Sequence, residues 1–410
     1  MARDAPRVED FSMTVVQRDR GVLALIIFVV LFAQVLLYPG VTDLVATLGA
    51  TTGLDASAWF LAAEFVGFVL FAGFWGVLSD RTGRRVPFIV VGAIGGAAGY
   101  FALASLGPRH HVGFETLLFL RFLQGAATIG AFSLAMTMLM DLEGGHGQNM
   151  GAAGIAIGLG TALGAPLGGL LYERGTVVPL WVAGGALLLA GVLATRVVDR
   201  APSEGRTGLR EVVQRLRTTP ALGFPYAFGF VDRLTAGFFA LVGTVYFRDT
   251  FSLDAAGAGI MLGLFFAPFA LLQYPLGVLS DRVGRKIPVT LGSLCYGAVV
   301  VAVYLAPTVW LAGGAMVLLG VFGALVSPAT MALVSDLASD ANRGVAMGGF
   351  NVFGNLGFLA GFVVGSVVTT SFGYGAAFVT AGVLEAGIVV VTLPAFLRLD
   401  LPQSPTFSER

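Results

Sequence analysis

Twelve stretches of this chain stay apolar for long enough to cross a bilayer, and that feature leaves little choice of fold. A hydrocarbon core of about 30 Å takes ~20 helical residues. The stretches cover, to within a few residues at either end, 22–47, 58–78, 87–106, 115–140, 149–171, 177–198, 221–247, 255–279, 287–306, 309–334, 345–371 and 375–397. Runs such as VLALIIFVVLFAQVLL saturate a helix, and the alternation of period 2 that a membrane barrel needs is absent. The expected fold is therefore an all-α membrane protein of twelve transmembrane helices, here called spans 1 to 12. A chain that is 56% hydrophobic and 12% charged has no place among soluble domains.

Orientation follows from Lys and Arg, which are retained on the cytoplasmic side. With both termini inside, nineteen of the 24 fall in the tails and inner connections. Three, Arg109, Arg174 and Arg248, fall in outer ones, and Arg121 and Arg233 lie within spans. We expect a multi-pass protein of the cell membrane with cytoplasmic termini. The first 20 residues are polar and carry Arg, with no small-residue cleavage site behind span 1, so no removable signal peptide is expected.

Several function classes drop out. Net charge is zero and no basic tract interleaves with aromatics, which excludes nucleic acid as a partner. The single lysine, Lys286, is followed by Ile287, so no phosphate-cradling GxxxxGK[ST] exists for ATP hydrolysis. His110, His111 and His146 all sit in connections, and Cys295 has no second thiol; neither a metal site nor a cofactor is expected. The chain does not read as an enzyme.

The chain also repeats itself. GVLSDRTGRRVP at residues 76–87 returns as GVLSDRVGRKIP at 277–288. Gly160, Gly164 and Gly168 of span 5 are echoed 197 residues on by Gly357, Gly361 and Gly365 of span 11, as Met150 is by Met347. Asp141 and Asp336 each follow the fourth helix of their half. Two halves of six helices share one plan and one direction: residues 1–198 and 221–410, joined by a polar linker, 199–220. Within the linker, 208–217 is either a short amphipathic helix near the headgroups or merely solvated.

Twelve spans in two halves, with GxLxDRxGRR or GxLxDRxGRK after the second helix of each, resemble the major facilitator superfamily. The phrase is complete in both halves: Gly76, Leu78, Asp80, Arg81, Gly83, Arg84 and Arg85, then Gly277, Leu279, Asp281, Arg282, Gly284, Arg285 and Lys286. Gly83 and Gly284 suit a sharp turn that needs positive φ. The bases serve topology, a gate, or both; topology gives no reason for the acids. The resemblance implies that Asp80 meets the N-terminus of span 11 and Asp281 that of span 5, latching the inner side until the halves rock apart.

Span 5 resembles the antiporter motif of the drug:proton branch of that family, a Gly, a Pro, two residues and a Gly pair. Here Gly164 and Pro166 are separated by Ala165 before Gly168 and Gly169, so the proline is displaced by one position. Close helix packing accounts for such glycines equally well. In span 4, LLFLRFLQGAA resembles a second signature of the branch, with Arg121 and Gln124 in its Arg and Gln places, and the family implies that this arginine takes part in proton coupling.

Charges inside the hydrocarbon cost ~3 kcal/mol on insertion scales and need a partner or a wet cavity. Glu64 and Arg121 lie at similar depth and are expected to pair. Asp232 falls at the midplane of span 7, with Arg233 about 100° round the helix, so one braces the other. The family places spans 1, 4, 7 and 10 around the cavity. Asp232 is then the leading proton carrier, its charge state set by Arg233 or Arg121. Glu385 lies on span 12, which the resemblance places toward the periphery, and is either a hydrogen-bonded structural acid or a further coupling group. Gln34, Tyr38 and Asn351 complete the cavity candidates; Gln273, Tyr274 and Asn355 are weighed with them, and all serve helix contacts as readily.

The expected function is secondary active transport by alternating access, with protons driving export of lipophilic drug-like or metabolite compounds. The alternative is a proton symporter or uniporter importing a small metabolite, anionic or not, with Arg121 and Arg233 clamping a carboxylate or phosphate where there is one. Partners are the small-molecule substrate, protons and the lipid bilayer, and a monomer is expected.

Overall fold

Backbone groups in hydrocarbon find no water, so each apolar run must close its own hydrogen bonds. A computed structural model describes residues 8–51, 53–106, 112–143, 146–199, 216–339 and 343–399, and each of the twelve runs is helical in it. No strand occurs among the described residues. Spans 2 to 6 are the helices Leu54–Thr82, Val86–Leu106, Phe114–Met140, His146–Tyr172 and Val178–Ala194. Spans 8 to 10 are Ala255–Val283, Lys286–Leu305 and Val309–Leu337. Spans 11 and 12 run together over Arg343–Leu397, broken where Gly373 takes φ 83°. Most of the linker, including nearly all of 208–217, lies outside the described residues.

Span 1 departs from expectation at both ends. Its helix runs Val8–Val35, and a separate short helix, Val41–Thr47, follows a turn. Pro39 and Gly40 stop the helix where the apolar run alone would carry it on. At the other end the charged residues are an anchored part of the helix: Arg18 pairs with Asp19 at 3.1 Å, and Arg20 donates to Asn149 Oδ1 and the Glu143 carbonyl, both at 2.8 Å.

Span 7 is continuous from Gly223 to Phe251 but widens into a π-turn over Phe239–Gly243. The Thr244 hydroxyl lies 2.7 Å from the Ala240 carbonyl and 2.9 Å from that of Leu241, covering acceptors the wider turn loosens.

The internal repeat is a repeat of packing. Span 5 lies on span 1, and span 11 lies on span 7, each through its glycines. A Cβ at Gly168 would stand 2.2 Å from the Leu36 carbonyl oxygen, and one at Gly357 would stand 2.1 Å from that of Phe230. Backbones come this close only where side chains are missing. The offset proline has a separate place. Gly169 and Pro166 face span 8 of the other half, with Gly259 and Gly263 opposite them.

Spans 5 and 8 form one seam between the halves, and spans 2 and 11 form the other. Both are tight on the face away from the termini, the far side. There Arg248 pairs with Asp43 at 2.8 Å and donates to Thr42 at 2.9 Å, and Ser366 donates to Asp55 at 2.8 Å. Nearer the middle, the Phe65 ring stacks on Phe358 at 5.2 Å and meets Phe362 edge-on at 5.4 Å. Toward the termini, the tail side, the seams loosen: a Cβ at Gly73 or Gly76 of span 2, Gly151 of span 5, or Gly344 or Gly348 of span 11 would meet nothing within 4 Å.

Candidate functional site

The repeated phrase forms the tail-side turns. Gly83 takes φ 64° and Gly284 φ 83°, the positive values the turn needs. Of the bases, Arg85 and Arg285 turn inward onto the acids that close the fourth helix of their own half. Arg85 reaches Asp141 at 2.7 Å while Asp199 accepts its backbone N–H at 2.9 Å. Arg285 reaches Asp336 at 3.0 Å and also pairs with Asp281. Lys286 closes the turn by donating to the Leu397 and Leu399 carbonyls at 2.8 and 2.7 Å. Arg81, Arg84 and Arg282 are exposed, and Asp80 is half-buried. The echo of Asp141 in Asp336 was plain in sequence; its role, one loop arginine held in each half, needed the structure.

Each half then encloses its own polar cluster. In the first, Arg121 of span 4 is fully buried and holds Glu64 of span 2 at 2.6 Å, as expected from their depth. Gln124, one turn on, accepts from Arg121 at 2.6 Å and passes its own N–H to Thr128 at 2.8 Å. The guanidinium lies 4.9 Å from the Phe60 ring centre and 5.2 Å from that of Tyr100. Gln34 and Tyr38 of span 1 border the pair and are buried. The backbones of spans 2 and 4 touch here, a Cβ at Gly125 standing 2.4 Å from the Glu64 carbonyl. Phe60, Tyr100 and Thr128 are absent from the sequence reading; a midspan tyrosine hydroxyl, which needs a polar neighbour, is the signal that points to Tyr100.

The second cluster sits among spans 7, 9 and 12. Asp232 is 6% exposed and Glu385 fully enclosed. Thr235, one turn along span 7 from Asp232, donates to Glu385 at 3.1 Å. Ser293 and Tyr296 of span 9 face the same acids. Arg233 is turned the other way, onto span 11, where a Cβ at Gly354 would lie 3.4 Å from its Nη1. Glu385 thus faces Asp232, although the resemblance implies a peripheral place for its helix.

With Arg121 engaged by Glu64, Arg233 is, of the two cations weighed for Asp232, the one beside it. Asn351 is exposed and outside both clusters, as is Tyr274, while Gln273 approaches Gly154 across the seam between spans 5 and 8.

The family model described as Major Facilitator Superfamily matches residues 23–247 and 226–410. The tetracycline resistance protein, class G, of Vibrio anguillarum is 28% identical over 303 residues, 72% of this chain and 75% of that protein. Multidrug resistance protein MdtG of Citrobacter koseri is 25% identical over 323 residues, 76% and 78% of the two chains. Among solved structures, a bacterial homolog of the human lysosomal transporter Spinster, inward-facing and unoccupied, superposes with a TM-score of 0.73 at 14% identity, covering 93% of this chain and 95% of its own.

Proposed function

The chain belongs to the Major Facilitator Superfamily and is a membrane transporter, and from that premise we propose that it exports lipophilic compounds in exchange for protons. The tail side is the cytoplasmic side, where the positive residues gather, so the conformation described above is open to the cytoplasm. One observation carries the proton part: Asp232 is an enclosed midplane acid whose cation, Arg233, reaches the helix that forms a seam between the halves. Gly354, which receives Arg233, is one turn from Phe358, which stacks on Phe65 of the other half. Rocking of the halves parts Phe358 from Phe65 and so releases the part of span 11 that holds Arg233, which can then shift relative to Asp232; a carboxylate whose cation is withdrawn takes up a proton.

The apolar character of the cargo is supported by the aromatic layer of Phe65, Phe358, Phe362 and Tyr38 that caps the central region on the far side. The names of the tetracycline and multidrug resistance relatives agree with it. A substrate clamp made of Arg121 and Arg233 draws no support, because Glu64 and Gln124 occupy the Arg121 guanidinium. The gate belongs to the same proposal: on closure Asp281 leaves Arg285 for the N-terminus of span 5, and Asp80 engages that of span 11.

The test is the internal pH of acid-loaded inverted vesicles, read by a dye as lipophilic cations, neutral drugs, sugars and organic acids are added in turn. Proton efflux provoked by one lipophilic class, abolished by Asp232→Asn while passive exchange of that compound persists, is the expected result. Efflux that survives Asp232→Asn removes Asp232 as the carrier, and silence toward every compound removes antiport.

A further inference from the structure

Glu385 has the surroundings of a proton-binding group that nothing so far has used. Its side chain is fully enclosed, Oε2 accepts from the Thr235 hydroxyl at 3.1 Å, and Oε1 has no hydrogen-bond partner among the described residues. Thr235 is three residues from Asp232, so the two point from the same face of span 7, one turn apart. That sets the Glu385 carboxyl group about one helical turn from Asp232, close enough to feel its charge. Among the described residues, no cation acts on Glu385. The titratable and charged groups around the pair are Tyr296, which faces both acids from span 9, and Arg233, which acts on Asp232 from beside it but extends to span 11.

Two enclosed carboxyl groups one turn apart, with Arg233 at their edge, repel each other when both are charged, and a proton relieves them. The two members differ in access. Asp232 keeps 6% exposure and Glu385 has none. A proton arriving from the cavity meets Asp232 first.

We propose that Asp232 and Glu385 form one proton site, in which Asp232 is the port and Glu385 the store. The step is a proton transfer: protonated Asp232 gives its proton to the Glu385 carboxylate and becomes the carboxylate itself, free to engage Arg233. Thr235 is a positioning residue that keeps the receiving carboxyl group one turn from its donor. This deepens the proton-exchange reading and rests on it for its purpose, though not for its test.

The test uses the full-length purified protein in lipid nanodiscs and the proton alone as ligand. Infrared difference spectra are recorded over a pH series, following the carbonyl stretch of protonated carboxyl groups. In Glu385→Gln the Glu385 band disappears and the titration of Asp232 moves by about one pH unit or more, the least that coupled groups show. In Asp232→Asn the Glu385 band survives, but its shift on transfer to heavy water slows at least tenfold because the port is closed. Thr235→Val, which keeps both acids, moves the Glu385 band and so covers the case in which Glu385→Gln fails to fold. An Asp232 titration unmoved by Glu385→Gln, or by Thr235→Val in its place, overturns the shared site; heavy-water exchange of Glu385 at the wild-type rate in Asp232→Asn overturns the port. The vesicle experiment is independent. Carboxyl groups that titrate together in a protein that releases no protons would keep the site and end the export reading, and carboxyl groups that titrate apart in a coupled exporter would do the reverse.

Discussion

Arg121 spends its charge on its own half. Its guanidinium is enclosed, bonded to Glu64 and Gln124 and flanked by the faces of Phe60 and Tyr100. In such a place the loss of one partner is worse than the loss of both, because the survivor stays charged and desolvated. Glu64→Ala is expected to destabilise the protein by ~3–5 kcal/mol, read as a lowered unfolding midpoint in detergent. The double change Glu64→Leu with Arg121→Leu is expected to recover most of that. A double variant as unstable as the single one would show that the two residues do not act as a unit.

Among the helices, the glycines decide which faces meet. Gly168 of span 5 lies against the backbone of span 1, while Gly185 of span 6 has nothing within 4 Å of its Cβ position. Gly168→Leu is expected to cost at least 1–3 kcal/mol, the usual penalty of overpacking, and to replace the monodisperse chromatographic peak with aggregate. Gly185→Leu is expected to be neutral or to gain up to ~1 kcal/mol of helix propensity. Equal losses at both positions would count against the packing reading. This contrast also marks what was legible in sequence. Hydropathy located the helices, and the echo of span 5 in span 11 announced two similar halves, because glycine spacing is a property of a single helix. Which neighbour each helix would touch is a property of pairs, and nothing in a lone helix declares it. The places of Tyr100 and Tyr296, and the turn of Glu385 toward Asp232, depend on such pairs. The end of span 1 has a simpler cause: the apolar run continues through Pro39 and Gly40, where the backbone cannot continue as a helix.

At the scale of the molecule, the present conformation is a balance between ties on the two sides. Arg248 with Asp43, and Ser366 with Asp55, join the halves on the far side, and these contacts must part before that side opens. On the tail side the proposed contact of Asp80 with span 11 acts in the opposite sense, since it exists only when that side is shut. The far-side pair is partly exposed, with Arg248 at 22% and Asp43 at 41%, so it contributes no more than about 1 kcal/mol. A contribution of that size changes the ratio of two conformations by up to about fivefold. Gly348 faces open space near the tail side of span 11, so a cysteine placed there, with Cys295 replaced by Ser, reports whether the tail side is open to a water-soluble maleimide. Arg248→Ala is expected to slow that labelling, by severalfold at most, as the far side is freed to open. Asp80→Ala is expected to speed it, because the closed state loses its latch while the far-side ties of Arg248 and Ser366 stay in place. The opposite signs are the discriminating feature. A general loosening of the fold would raise labelling in both variants, and two variants that move together would show that these residues do not set the balance between the two sides.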